Sequence, residues 1–303
     1  MIDHSATPPT EGRNPRTLGI DLLPTPAIVA LLHHEDELVA AAVRPVLGAL
    51  AGVVDEATAR IRRGGRVHYF GAGSSGRIAV LDAAELVPTF GLAPDVVVAH
   101  LAGGESAMVH AVEGAEDDEE LGARDAAVVS EDDLVIGLTA SGRTPYVAGA
   151  LAAAGWRGAF TVAVTCNPAT PMRSVANVTL TADTGPEAIA GSTRLKATSA
   201  LKFILNGFST ALMVRLGKTY SNLMIEVSAT NSKLRARKVR ILRDATGATE
   251  DACEAALGGA DGDVRLALVA LLAEVEVARA REALDGADGN IRAALSSLGI
   301  ASS

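Results

Sequence analysis

Three short runs in this 303-residue chain put glycine beside hydroxyl side chains, as an anion site requires. Gly71-Ala72-Gly73-Ser74-Ser75-Gly76 follows an apolar run that ends at Phe70. A Gly-rich turn that opens a helix presents backbone N–H groups, and Ser74 and Ser75 add donors aimed at a phosphate. Thr139-Ala140-Ser141-Gly142-Arg143-Thr144-Pro145 repeats the arrangement after a later apolar run. Pro145 suits the first turn of a helix, and Ser141 or Thr144 could cap it. The third run, Gly191-Ser192-Thr193-Arg194-Leu195-Lys196, opens a long helical pattern and sets two cations beside two hydroxyls. The ordinary reading of each run is a tight turn or a capped, solvated helix end. Taken together, they point to a phosphorylated ligand.

Carboxylates offer the second kind of chemistry. Glu85 lies just before Val87-Pro88-Thr89-Phe90-Gly91, and Glu113 and Glu116 are spaced i, i+3 within a helical pattern. A lone glutamate usually faces solvent. Two brought together beside a sugar divide acid and base work between them.

Other chemistries lack their residues. The first run matches GxGxxG, but the next strand ends at Ala99 and His100, with no carboxylate for a ribose. A Walker A lysine is missing. The six histidines are scattered, and adjacent His33 and His34 point to different helix faces, so no metal site and no cofactor are expected. A formal charge of −9 supplies no basic stripe for nucleic acid. It also leaves any anionic substrate to local donors. Cys166 and Cys253 match no CxxC pattern and read as free thiols. Asp3, Glu11 and several prolines stand where a signal peptide needs an apolar core. No stretch approaches ~20 uninterrupted apolar residues. These features predict a cytoplasmic protein without a membrane span.

The elements that must position these residues follow from periodicity. Residues 1–20 are polar and proline-containing, and are expected to be extended. From Pro26 to Arg62 the apolar spacing is helical, as two helices or one broken near Pro45. Strand-like runs follow at Arg66–Phe70, Asp95–His100, Asp133–Leu138, Phe160–Thr165 and Val175–Leu180. Helical stretches near 75–86, 105–122, 145–154 and 170 separate them. Such a βαβ series implies a parallel five-stranded sheet flanked by helices, with both hydroxyl-rich turns at the carboxyl ends of strands. Long helices are expected over about 192–216 and 219–242. Only 3% of residues are aromatic, and small residues dominate, which suits helices packed closely on a sheet. Ala256–Arg265 returns as Ala283–Arg292, each copy a helix, a Gly-rich turn and an Asp or Asn cap for the next helix. The predicted domains are 1–62, N-terminal tail and helices packing on the core; 63–243, the α/β core that carries the ligand turns; and 244–303, a small helical domain.

Assembled, these residues resemble the N-acetylmuramic acid 6-phosphate etherases, whose core is a sugar isomerase (SIS) domain. The resemblance covers nearly the whole chain. It runs through Thr10–Pro15, Gly71–Gly76 with Arg77, Leu81 and Asp82, Ala102–Glu105, Glu113–Asp117, Ala140–Tyr146 and Cys166–Pro168. It continues through Gly185–Glu187, Gly191–Lys196, and Ser221–Met224 on to Ala229-Thr230-Asn231. The chain departs at Leu86-Val87, where the family usually has Cys-Pro, and at Thr198-Ser199, where it usually has Gly-Thr.

The resemblance implies a flavodoxin-like SIS sheet with a UBA-like C-terminal helical domain, a homodimer, and a phosphorylated amino sugar substrate. By it, Glu116 takes the proton from C2 and Glu85 protonates the departing lactate, for which desolvation is expected to keep Glu85 protonated. Lactate leaves by elimination; water then adds to give N-acetylglucosamine 6-phosphate. Ser74, Ser75, Ser141, Arg143, Thr144, Ser192, Thr193, Arg194 and Lys196 are the expected phosphate and sugar contacts. The rival reading is a non-catalytic sugar-phosphate-binding regulator resembling the glucokinase regulatory protein. An aldose–ketose isomerase is a third.

Overall fold

Short β-branched and aromatic runs become strands, and the helical repeats between them become the layers that cover those strands. The computed structural model describes residues 7–226 and 232–300. In chain order it has helices α1 (Thr25–Val43) and α2 (Leu47–Arg62), then strand β1 (Val67–Gly71) and helix α3 (Gly73–Phe90). Strand β2 (Val97–Leu101), helix α4 (Glu119–Asp125), strand β3 (Leu134–Thr139) and helix α5 (Pro145–Trp156) come next. Strands β4 (Phe160–Thr165) and β5 (Val178–Thr181) precede helix α6 (Lys196–Arg215). A short pair, β6 (Thr219–Tyr220) and β7 (Leu223–Met224), leads to α7 (Ser232–Thr246), α8 (Glu250–Gly259), α9 (Val264–Ala273), α10 (Val277–Asp285) and α11 (Ile291–Ser297).

The five parallel strands lie in the order β2-β1-β3-β4-β5. This is the flavodoxin-like order, whose topological switch falls between β1 and β3. Gly71 pairs with Leu138, so the turns after β1 and β3 leave adjacent strands at one edge of the sheet. Both strands are buried along their whole length, as strands covered on two faces must be. Successive side chains alternate between those faces. Phe70 joins Tyr146, Val147, Leu151 and Met172 in one apolar layer. Tyr69 meets Phe208 of α6 edge-on on the other side, and its hydroxyl donates to Asp82 of α3 at 3.2 Å. The predicted parallel sheet with flanking helices is therefore present.

The chain divides into two compact units, Met1–Ala84 with Pro94–Thr210, and Glu85–Ala93 with Ala211–Ser303. The first holds the sheet. The second has its own core, including Leu242, Cys253, Leu257, Leu268, Leu284 and Leu295. Its internal repeat is structural: Asp263 accepts from the amides of Arg265 and Leu266 at the start of α9, and Asn290 from that of Ala293 in α11. The turns before them also match, with Asp261 and Asp288 both left-handed at φ 53° and 51°. Loss of either cap in Asp263→Ala or Asn290→Ala is expected to cost about 1 kcal/mol, read as a lower urea midpoint of the full chain.

Two helical stretches, Thr25–Arg62 and Lys196–Arg215, are long and apolar enough by length and composition to cross a membrane. The second is half buried inside the fold. The first carries the fully buried, ion-paired Glu35, and a three-residue 3₁₀ turn at Arg44–Val46, holding Pro45, divides it.

Three expectations are corrected. The helix predicted over 105–122 is absent: the segment makes 3₁₀ turns at Glu105–Met108 and Ala115–Asp117 before α4 begins. Gly114 at φ 74° lies outside the right-handed helical region, so no helix passes through it. The helix predicted over 219–242 begins only at Ser232. Thr219 and Tyr220 instead pair with Met224 and Leu223 around a tight turn in which Ser221 is left-handed. Residues 227–231, including the Ala229-Thr230-Asn231 run, lie outside the described residues. Residues 1–20 are expected to be extended; from residue 7 on, where they are described, 3₁₀ turns form at Pro9–Glu11 and Pro15–Thr17, and a third follows at Ile20–Leu22. They are tied down by bonds from Thr17 Oγ1 to Ala188 O (2.8 Å) and from Gly191 N to Thr10 O (3.1 Å).

Candidate functional site

The first Gly-rich turn is tight because two backbones touch. A Cβ on Gly76 would lie 2.6 Å from Gly71 O, so only glycine fits where α3 turns back on β1. Helix α3 thereby begins immediately at the strand's end, with Ser75 buried and Ser74 half-buried in its first turn. A cleft of about 250 Å³ opens here, lined by Gly73, Arg77, His110, Glu113, Gly114 and Glu116 among others. Its far wall is the segment 102–116. That wall has little backbone ladder of its own, and Arg77 supplies a tie: its Nε donates to Ala107 O at 2.9 Å and its Nη2 to His110 O at 3.5 Å. Glu116 sits on the Ala115–Asp117 turn, exposed at the wall. The cleft thus joins a helix N-terminus, which favours anions, to a carboxylate that solvent reaches, with the Arg77 guanidinium engaged by the wall's carbonyls.

The second turn, after β3, is braced from within. Thr139 Oγ1 and Thr144 Oγ1 share a bond of 2.8 Å, and Gly142 N donates to Thr139 Oγ1. Thr170 Oγ1 donates to Gly142 O, and Asn167 Nδ2 to Ser141 O. Ser141 Oγ accepts from Arg143 N and keeps its own proton to donate. Thr144 is therefore first a brace of the turn. Asn167 and Thr170, 26 and 28 positions away from the groups they hold, were not identifiable as part of it from local spacing.

The third run departs most from its expectation. α6 starts at Lys196, four residues after Ser192, and its first amides are already taken. Lys196 N and Ala197 N donate to the buried Glu187 carboxylate at 3.0 and 2.9 Å. Burial pushes that carboxyl up, against the two amides that favour its charge. Lys196 does not reach a ligand: its ammonium and Glu35 are each 1% exposed and 2.6 Å apart. Arg16 donates to the same carboxylate through Nε and Nη2, and Asn14 through Nδ2 at 2.7 Å. Arg16 is the leading reason the Glu35 carboxyl is held down to about 2, with Lys196 and Asn14 adding to it against burial. Of this run, Ser192, Thr193 and Arg194 stay at least partly open to solvent. Nothing local in the sequence marks Glu35 or Glu187, since their partners lie far along the chain.

Glu85 belongs to the second unit and is exposed there. The burial expected of this side chain is not found within the chain. Two histidines pack away from the cleft. His68 Nδ1 and His100 Nε2 are 3.0 Å apart, and His100 stacks on Phe70. Burial holds His100 down to about 4 and His68 below its ordinary value, so both are neutral at pH 7. Burial likewise pushes the Cys166 thiol up to about 12, which makes it inert.

Comparison with known proteins fits this geometry. Residues 49–155 match the family model of the glucokinase regulatory protein N-terminal SIS domain. Among solved structures, a phosphoheptose isomerase from Francisella tularensis covers 63% of this chain and 98% of its own, at TM-score 0.50 and 19% identity. A putative phosphosugar isomerase from Bacteroides fragilis covers 67% and 95%, at TM-score 0.50 and 24% identity. At these identities the likeness concerns the fold alone. Curated relatives are much nearer. The N-acetylmuramic acid 6-phosphate etherase of Thermobifida fusca is 60% identical over 87% of each chain. That of Mycolicibacterium smegmatis is 52% identical over 87% of this chain and 89% of its own. That of an Enterobacter species is 47% identical over 90% and 92%. Identity of this depth along both chains means that the protein described here belongs to the N-acetylmuramic acid 6-phosphate etherase family.

Proposed function

We propose that this chain is a carbon–oxygen lyase that releases D-lactate from N-acetylmuramic acid 6-phosphate and leaves N-acetylglucosamine 6-phosphate. The observation that carries the reading is the single cleft lined by Gly73 at the start of α3, Arg77 and Glu116. In the open-chain sugar the C1 aldehyde acidifies C2–H. Glu116 takes that proton, the C3–O bond breaks, and Glu85 protonates the departing lactate oxygen. Water then adds across the C2–C3 double bond. The sequence of steps is redox-neutral and needs only an acid and a base. Ser74, Ser75, Ser141 and Ser192–Arg194 supply donors to the phosphate and the sugar.

The chain acts as a homodimer in amino sugar catabolism in the cytoplasm. Leu81 and Phe203 are 48% and 53% exposed, and a partner that covered them would remove apolar surface from water. A covering partner would also give Glu85 the desolvation its own chain lacks.

Incubation with N-acetylmuramic acid 6-phosphate tests the reading, with D-lactate measured enzymatically. Stoichiometric D-lactate and N-acetylglucosamine 6-phosphate are expected. The match to the glucokinase regulatory protein domain gives the alternative a concrete signature: a thermal shift with hexose 6-phosphates and no product would make the chain a binding protein instead. Turnover that does not require the lactyl group would make it an isomerase.

A further inference from the structure

The cleft wall that carries Glu116 poses a mechanical problem. A general base must hold its carboxylate within a fraction of an ångström of the proton it takes. Yet the segment from Ala102 to Asp118 lies between β2 and α4 with only two short 3₁₀ turns, and Gly103, Gly104 and Gly114 all have positive φ. Short turns of this kind hold few backbone bonds, and exposed segments with few contacts open easily. The Ala115–Asp117 turn packs on α5 through Ala115, but the 105–110 turn that leads to it needs a tie from outside the segment.

Arg77 sits on the second turn of α3, a helix anchored in the sheet layer through Asp82, which bonds Tyr69 and Ser209. From there its guanidinium crosses the cleft floor to two carbonyls of the wall, Ala107 O and His110 O. Ala107 is buried, and the 2.9 Å bond to its carbonyl is partly buried, whereas the longer bond to His110 O is exposed. The planar fork of arginine spans two acceptors at once, which a lysine ammonium does not reproduce. Arg77 and Glu116 line the same cleft.

We propose that Arg77 is a positioning residue for Glu116: it ties the 105–110 turn to α3 and so fixes where the carboxylate on the same segment stands. The inference rests on the reading of Glu116 as the base. Arg77→Met is expected to lower kcat for lactate release about 10- to 100-fold with KM changed less than about threefold, since a misplaced base costs rate more than binding. Hydrogen exchange in peptides covering 105–117 should speed up at least about tenfold, while the β1 and β3 peptides stay unchanged. Arg77→Lys, which keeps one donor, should fall between wild type and Arg77→Met.

A double-mutant cycle is decisive. If Arg77 acts through Glu116, Arg77→Met adds no further loss to Glu116→Gln. Multiplying losses would overturn the proposal, and so would unchanged exchange in 105–117. If Glu116→Gln keeps full turnover, the base assignment fails on its own, and the exchange experiment still decides whether Arg77 holds the wall. Should Arg77→Met not fold, Arg77→Lys carries the same cycle and the same exchange measurement.

Discussion

Glu116→Gln is expected to lower kcat/KM for D-lactate release by about 10²–10⁴-fold with almost no change in stability. The first half follows from chemistry: the amide is isosteric but accepts no proton at neutral pH. The second follows from placement, because Glu116 is exposed on a short turn and makes no buried bond to the described residues. Glu85→Gln should cause a loss of the same order, and it too is exposed. The two variants differ in what survives. Without its base, the chain should neither release lactate nor exchange the C2 proton with deuterated solvent. Without its acid, C2 exchange should persist while lactate loss stops, because proton removal precedes departure. Wild-type turnover in both variants would end the two-carboxylate mechanism. Exchange lost in Glu85→Gln and kept in Glu116→Gln would reverse the roles.

Much of the fold could be read from the sequence because it is built from local signals. Each of the five strands appears within three residues of its predicted bounds, since β-branched runs between Gly-rich turns have few alternatives. The capped repeat at Asp263 and Asn290 was equally legible, being a pattern of turn and cap residues. Where the reading failed, backbone conformation outweighed composition. Residues 105–122 are rich enough in Ala and Glu to suggest a helix, but Gly114 takes a left-handed conformation in their midst. Residues 219–226 have apolar spacing that suits a helix, yet they turn at left-handed Ser221 into a hairpin. Placing a non-glycine residue there carries a local cost that only the assembled structure offsets.

The site divides along the same line. Gly71–Gly76 and its cleft could be located because a strand, a turn and a helix N-terminus follow one another in sequence. Lys196 was misread because its partner Glu35 lies 161 positions away. A cation beside hydroxyls looks like an anion site until a distant carboxylate claims it. Arg77 was visible only as part of the family motif, since its acceptors are backbone carbonyls 30 and 33 residues on.

Glu35→Ala should be the most destabilising of the substitutions considered, at about 3–5 kcal/mol in urea unfolding at pH 7. It removes the one carboxylate that Lys196, Arg16 and Asn14 all share, and leaves a fully buried ammonium without its ion-pair partner. The pH dependence has a definite sign. The folded carboxyl is held at about 2, below its ordinary 4.5. Its contribution is therefore complete above about pH 4.5 and fades as the pH falls toward 2. That shift corresponds to about 3 kcal/mol, somewhat less once solvent screening at the 43%-exposed Arg16 is allowed for. The gap between wild type and Glu35→Ala should accordingly narrow in acid. A matched replacement, Glu35→Met with Lys196→Met, should recover most of the loss, because it removes both charges and keeps the volume. A single-variant cost below about 1 kcal/mol at pH 7, or a gap that widens in acid, would mean that the pair does not hold the N-terminal segment to the head of α6.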